Sequence, residues 1–206
     1  KGSVEMIKLL IEKGADVNWK PYYGWSALWD AISIGNVEML KLLIENGADV
    51  NMKTENGEIA LIYAAEKGYL GVLKLLLEKG ADVNAKNKNG KTALLIAAER
   101  GYYGLLSLLI DNGANVNEQI HFGETTFMYL LSAPEYGNTE ILKLLIEKGA
   151  DINEEILGKT ALMYAAEKGY DGVIKLLIEK GVDVNRENFD GRTALMYAAK
   201  NGHAEA

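Results

Sequence analysis

Apolar residues in this chain come in short blocks, separated by polar stretches that carry glycine. The run Leu105-Leu106-Ser107-Leu108-Leu109-Ile110 is apolar on more than one side of a helix. It predicts a helix over residues 102–112 that is buried on several sides. Upstream, Thr92 precedes Ala93-Leu94-Leu95-Ile96-Ala97-Ala98, which predicts a first, shorter helix over residues 92–100. Its alanines allow a neighbouring backbone to come close, and its threonine can cap free amides. Ser26, Thr160 and Thr193 stand at the corresponding positions and are expected to cap in the same way. Glu38, Lys41 and Glu45 share helical spacing and form a polar strip expected to face water. Gly47, Gly80 and Gly113 follow the longer helices, where a left-handed residue ends a helix. Helices this short are marginal in isolation, so their stability must come from stacking on neighbours.

This helix pair recurs along the whole chain. The word Gly-Ala-Asp-Val-Asn, or a close relative, begins at Gly14, Gly47, Gly80, Gly113, Gly149 and Gly181, at intervals of 33, 33, 33, 36 and 32 residues. A second marker glycine stands at Gly24, Gly57, Gly90, Gly123, Gly158 and Gly191. A third word, Thr-Ala-Leu followed by an alanine pair, starts at Thr92, Thr160 and Thr193. Three markers in one register imply a single all-α array over residues 1–206. Its whole units run over about 18–50, 51–83, 84–116, 117–152 and 153–184, with a partial unit at each end.

These words resemble the ankyrin repeat, whose unit opens Gly-x-Thr-Pro-Leu-His-x-Ala and closes Leu-Leu-x-x-Gly-Ala-Asp-Val-Asn. The departures are systematic. Alanine replaces the proline at Ala27, Ala60, Ala93, Ala161 and Ala194. The histidine becomes Trp29, Ile62, Leu95, Met128, Met163 and Met196, so apolar packing is expected in place of its hydrogen bonds. The resemblance implies a solenoid of stacked helix-turn-helix units, with projecting hairpin tips and a concave face lined by the first helices. It also implies non-catalytic protein binding at an intracellular, cytoplasmic location.

The pattern breaks in places. The unit 117–152 carries three extra residues around Ser132-Ala133-Pro134-Glu135-Tyr136, and Pro134 predicts a bulged inter-helix loop. Leu130 and Leu131 replace its alanine pair, and the hairpin between Asn153 and Gly158 is one residue short. Both ends fall inside a repeat without a polar capping face, which reads as a piece of a longer array.

Composition narrows the function. The chain carries 49% apolar and 25% charged residues and no cysteine, so disulfides and thiolate metal sites are excluded. A net charge of −7 argues against nucleic acid as a partner. No apolar run is long enough to span a membrane. The two histidines, His121 and His203, are far apart in the repeat frame, and no nucleophile elbow, phosphate loop or dinucleotide fingerprint occurs. Glu66, Glu99 and Glu167 recur at one repeat position, as solvated faces do. The reading is therefore not an enzyme, with no cofactor and no metal.

The resemblance places one residue per unit, just before the alanine pair, toward the groove: Asp30, Tyr63, Ile96, Tyr129, Tyr164 and Tyr197. Tyrosines there combine a large ring with a polar handle and suit an interface. Plain repeat duplication explains the same recurrence. The tips, however, do not copy one another. The first carries Trp19, Tyr22, Tyr23 and Trp25, the fourth Ile120, His121 and Phe122, the fifth Ile156 and Leu157, and the sixth Phe189. Aromatic residues on loop tips mark interaction surfaces. The expected partner is thus another protein, held by tips and first helices. The alternative is an assembly or tethering scaffold, either stacking end to end or regulating a catalytic region outside this segment, and both monomer and end-to-end self-association fit the pattern.

Overall fold

The structure is a computed structural model and describes residues 2–22, 24–120, 124–132 and 139–203. Twelve helices are found among these residues: α1 (Gly2–Glu12), α2 (Ala27–Ser33), α3 (Val37–Glu45), α4 (Ala60–Lys67), α5 (Leu70–Glu78), α6 (Ala93–Glu99), α7 (Tyr103–Asp111), α8 (Thr126–Ser132), α9 (Thr139–Glu147), α10 (Ala161–Lys168), α11 (Asp171–Glu179) and α12 (Ala194–Asn201). They fall into two compact units, Lys1–Ala114 and Asn115–Ala206. In the first, α2, α4 and α6 form a row of short helices, and α1, α3, α5 and α7 form a second row behind it. In the other, α8, α10 and α12 pack in sequence, with α9 and α11 behind them.

The alanine pairs explain how the short helices stack so closely. Ala64, Ala65, Ala97 and Ala98 are buried in the first unit, and Ala165 and Ala166 in the second. Trp29, Ile62 and Leu95 in the first unit, and Met128 and Met163 in the second, are buried, whereas Met196 is exposed. Apolar packing therefore does replace the histidine at those five positions. Links between repeats come instead from the asparagine that ends several of the marker words. Asn18 donates its side-chain amide to the Gly47 carbonyl at 2.8 Å and accepts the Asp49 N–H at 3.0 Å. Asn51 does the same with Gly80 and Asp82, as Asn117 does with Gly149 and Asp151. A second link is aromatic. The Tyr69 ring lies over Gly35 and the Tyr102 ring over Gly68, while in the other unit the His203 ring lies over Gly169.

Caps only partly follow expectation. Thr92 and Thr160 accept from the N–H groups of Leu95 and Met163, at 3.2 and 3.3 Å. Ser26 and Thr193 occupy cap positions but make no such bond. The Ser26 hydroxyl is buried with no hydrogen-bond partner among the described residues. The extra residues around Pro134 lie outside the described residues.

One hairpin adds a small β ladder to the otherwise helical architecture. Strand β1 (Glu155–Ile156) pairs antiparallel with β2 (Lys159–Thr160). The intervening Leu157 and Gly158 both have positive φ, 51° and 75°, as a two-residue type I′ turn requires. This tight turn accounts for the missing residue. It also places a leucine in the left-handed region, where its Cβ crowds the following carbonyl. Leu157→Asn should therefore raise stability by about 1 kcal/mol. A thermal melt of the variant no higher than the parent's would show that the turn carries no such strain.

Candidate partner-binding surfaces

In the first unit the aromatic residues of the first tip divide into two groups. Trp25 stacks at a tilt on Trp29, with ring centroids 5.3 Å apart, and both meet Tyr63 edge-on at 6.2 and 5.8 Å. The Trp25 indole donates to Asp30 Oδ1 at 2.8 Å, which fixes both side chains. Trp29 is fully buried, so these rings form a local core as well as a surface. Trp19 and Tyr22, in contrast, are 71% and 87% exposed. Tyr23 lies outside the described residues. Tyr63 is half-buried with the Lys67 ammonium 5.2 Å from its ring centre, and Asp30 is exposed. Ile96 is buried.

The second unit treats its tyrosines differently. Tyr129 is half-buried, while Tyr164 and Tyr197 are buried. The Lys159 ammonium stands 5.1 Å from the Tyr164 ring centre and 4.6 Å from that of Tyr197, and it pairs with Glu167 at 2.9 Å. Burial opposes the charge on Lys159, but the hydrogen bond and charge of Glu167 outweigh it and hold the lysine pKa above its usual value. Burial raises the pKa of Tyr164, opposed by the charge of Lys159. Asn188 donates to the Tyr197 hydroxyl at 3.0 Å. Here the tyrosines hold a side chain of their own chain, an arrangement that the spacing of Tyr164 and Tyr197 did not reveal. A lysine eight residues before a glutamate, at 159 and 167 as at 91 and 99, was the available signal.

Two of the tips are braced by an asparagine side chain. The Asn87 side chain accepts the N–H groups of Asn89 and Lys91, and Asn188 accepts those of Asp190 and Arg192. Phe189 is 88% exposed, with one edge against Gly158, where an added Cβ would come within 2.4 Å of the ring. Leu157, next to that glycine, is 89% exposed. These two neighbouring tips thus carry adjoining exposed apolar side chains. Among the sequence candidates, His121 and Phe122 lie outside the described residues. Among the described residues, no helix is long and apolar enough to cross a membrane.

Comparison with known proteins places this geometry. A family model described as "Ankyrin repeats (3 copies)" matches residues 1–54, 49–120, 105–188 and 127–206. No curated protein matches the chain. Among solved structures, the human ASB11 ankyrin repeat domain is similar at 29% identity and a TM-score of 0.74, covering 99% of this chain and 90% of that one. The ankyrin repeat domain of Bcl-3, described as a unique member of the IkappaB protein family, is similar at 24% identity and a TM-score of 0.80. That alignment covers 94% of this chain and 86% of that one.

Proposed function

Because the chain belongs to the ankyrin-repeat family, whose repeats generally serve as protein–protein interaction modules, we propose that it binds another protein without catalysis, through its hairpin tips and the face of its first helices. The observation that carries this reading is a set of exposed apolar tips, one in the first unit and two neighbouring ones in the second. Trp19 and Tyr22 project from the first, and Leu157 and Phe189 from the second, each on a hairpin tied down by backbone bonds. Large rigid rings on a fixed support lose little entropy on binding. Leu157 adds a second argument, since an exposed leucine held in the left-handed region costs folding energy and such outliers cluster at functional sites. Tyr63 and Tyr129, both half-buried, belong to the first helices of their own units and extend the proposed contact within each. The net charge of −7 fits a protein partner better than a nucleic acid. A cytoplasmic location goes with this reading, since a chain without cysteine has no disulfide to protect there.

The test is a pull-down from native lysate with the parent chain, Trp19→Ala/Tyr22→Ala and Leu157→Ser/Phe189→Ala. All these side chains are exposed, so the variants should keep the parent's circular dichroism and melt. A protein retained by the parent and lost with either pair supports the tips as the contact and names the unit that makes it. Equal recovery by all three moves the site elsewhere. Oligomers that form with concentration and ignore both pairs would favour assembly instead.

A further inference from the structure

Equivalent positions of three repeats carry different charge pairs: Glu58 and Glu66, Lys91 and Glu99, Lys159 and Glu167. In the latter two the lysine closes onto the glutamate of its own repeat. Lys91 reaches both carboxylate oxygens of Glu99 at 2.8 and 3.0 Å, and that glutamate side chain is left only 8% exposed. Lys159 reaches Glu167 at 2.9 Å over a tyrosine of its own first helix. Twice, then, this corner of the repeat holds an ammonium supplied from within.

The earliest of the three repeats has the same glutamate, and a tyrosine where the last of them has Tyr164, but Glu58 replaces the lysine. Among the described residues, no ion pair reaches Glu58 or Glu66. In place of a lysine there is a cavity of about 300 Å³ between this tip, α4 and the next tip. Ile62 and Tyr63 line it beside the half-buried Glu66, and Asn56 and Glu58 stand at its edge. One cation also lines it: the Lys88 stem crosses Gly57, where an added Cβ would come within 2.7 Å of its Cε. Lys67 lies over Tyr63, so a newcomer's charge would meet the carboxylates rather than the ring. Two carboxylates against one unpaired rim ammonium leave the cavity an acceptor of positive charge, and charge-assisted hydrogen bonds to carboxylate are the strong kind.

We propose that this cavity receives a lysine or arginine side chain of the partner protein, which completes Glu58 and Glu66 as Lys91 and Lys159 complete their own glutamates. The inference rests on the protein-binding reading above and names the chemistry of the partner.

A displayed library of random peptides, selected on the whole chain, tests it. The selected peptides should share a basic residue. A synthetic consensus peptide should bind about tenfold more weakly to Glu58→Lys, which supplies the internal lysine, and to Glu66→Gln. Both variants should melt like the parent, since Glu58→Lys reproduces a pairing the fold already contains twice. Because the protein is acidic overall, Glu38→Lys on an exposed face of α3 is the charge control and should leave affinity unchanged. Peptides without a basic residue would overturn the proposal, as would a consensus peptide that ignores Glu58→Lys and Glu66→Gln or loses as much affinity with Glu38→Lys. If such peptides instead lose binding with Trp19→Ala/Tyr22→Ala, the protein-binding reading stands and only the cavity falls. No enrichment at all would count against both.

Discussion

Leu109→Ala should destabilise the chain by about 2 to 5 kcal/mol, among the largest effects expected of a single substitution. Leu109 lies on α7 with its side chain fully buried. Alanine would remove apolar atoms from water-free surroundings and leave a hole that the stacked helices can only partly close. Leu108, one position away in the same run, is only half-buried and should cost markedly less. Urea unfolding of both variants, followed by circular dichroism, measures the difference. If Leu109→Ala unfolds like the parent, or no earlier than Leu108→Ala, the α7 core is wrongly placed. Because this core loss would also weaken partner binding through unfolding, the variant tests stability and not contact.

The second large effect is expected at Gly24. Its φ is +71°, and an added Cβ would stand 2.9 Å from the Glu55 backbone nitrogen and 3.2 Å from the Thr54 Cα. Both obstacles are main chain of the next hairpin. Thr54 there is buried, and its hydroxyl accepts the Glu58 N–H at 3.0 Å, so the hairpin cannot step aside cheaply. Gly24→Ala should therefore combine left-handed strain with overpacking, for about 2 to 4 kcal/mol in all. Gly47 has φ +90° and nothing near an added Cβ, so Gly47→Ala should show the strain alone, about 1 kcal/mol. Equal losses at the two positions would mean that the tips do not approach each other as described.

The repeat frame was legible in the residues themselves. The glycine after each longer helix, the alanine pair of four of the shorter ones and the threonine caps at Thr92 and Thr160 all follow from local rules of backbone conformation and close approach. These features recur in register, so the helices, their order and the family follow together. Less of the candidate surface could be read. Nothing local distinguishes Tyr63 from Tyr164, since both precede an alanine pair. Their surroundings differ because Glu58 replaces a lysine in one repeat, while Lys159 fills the same corner in another. Trp19 and Trp25 share a tip, yet one faces water and the other packs on Trp29 and Tyr63.

The sequence by itself determined the period, the helix pairs and the positions of the turns, because each depends on residues within a few places of one another. Only the tertiary structure decided which tyrosines are covered, which tips stay exposed, where Ser26 lacks a cap partner and which repeat keeps an unfilled acidic cavity. Those outcomes depend on groups brought together from eight to more than thirty residues apart, as Lys159 meets Glu167 and Asn18 meets Asp49. Such pairings are settled by stacking, since a short helix that cannot stand alone takes its surroundings from the neighbours it packs against.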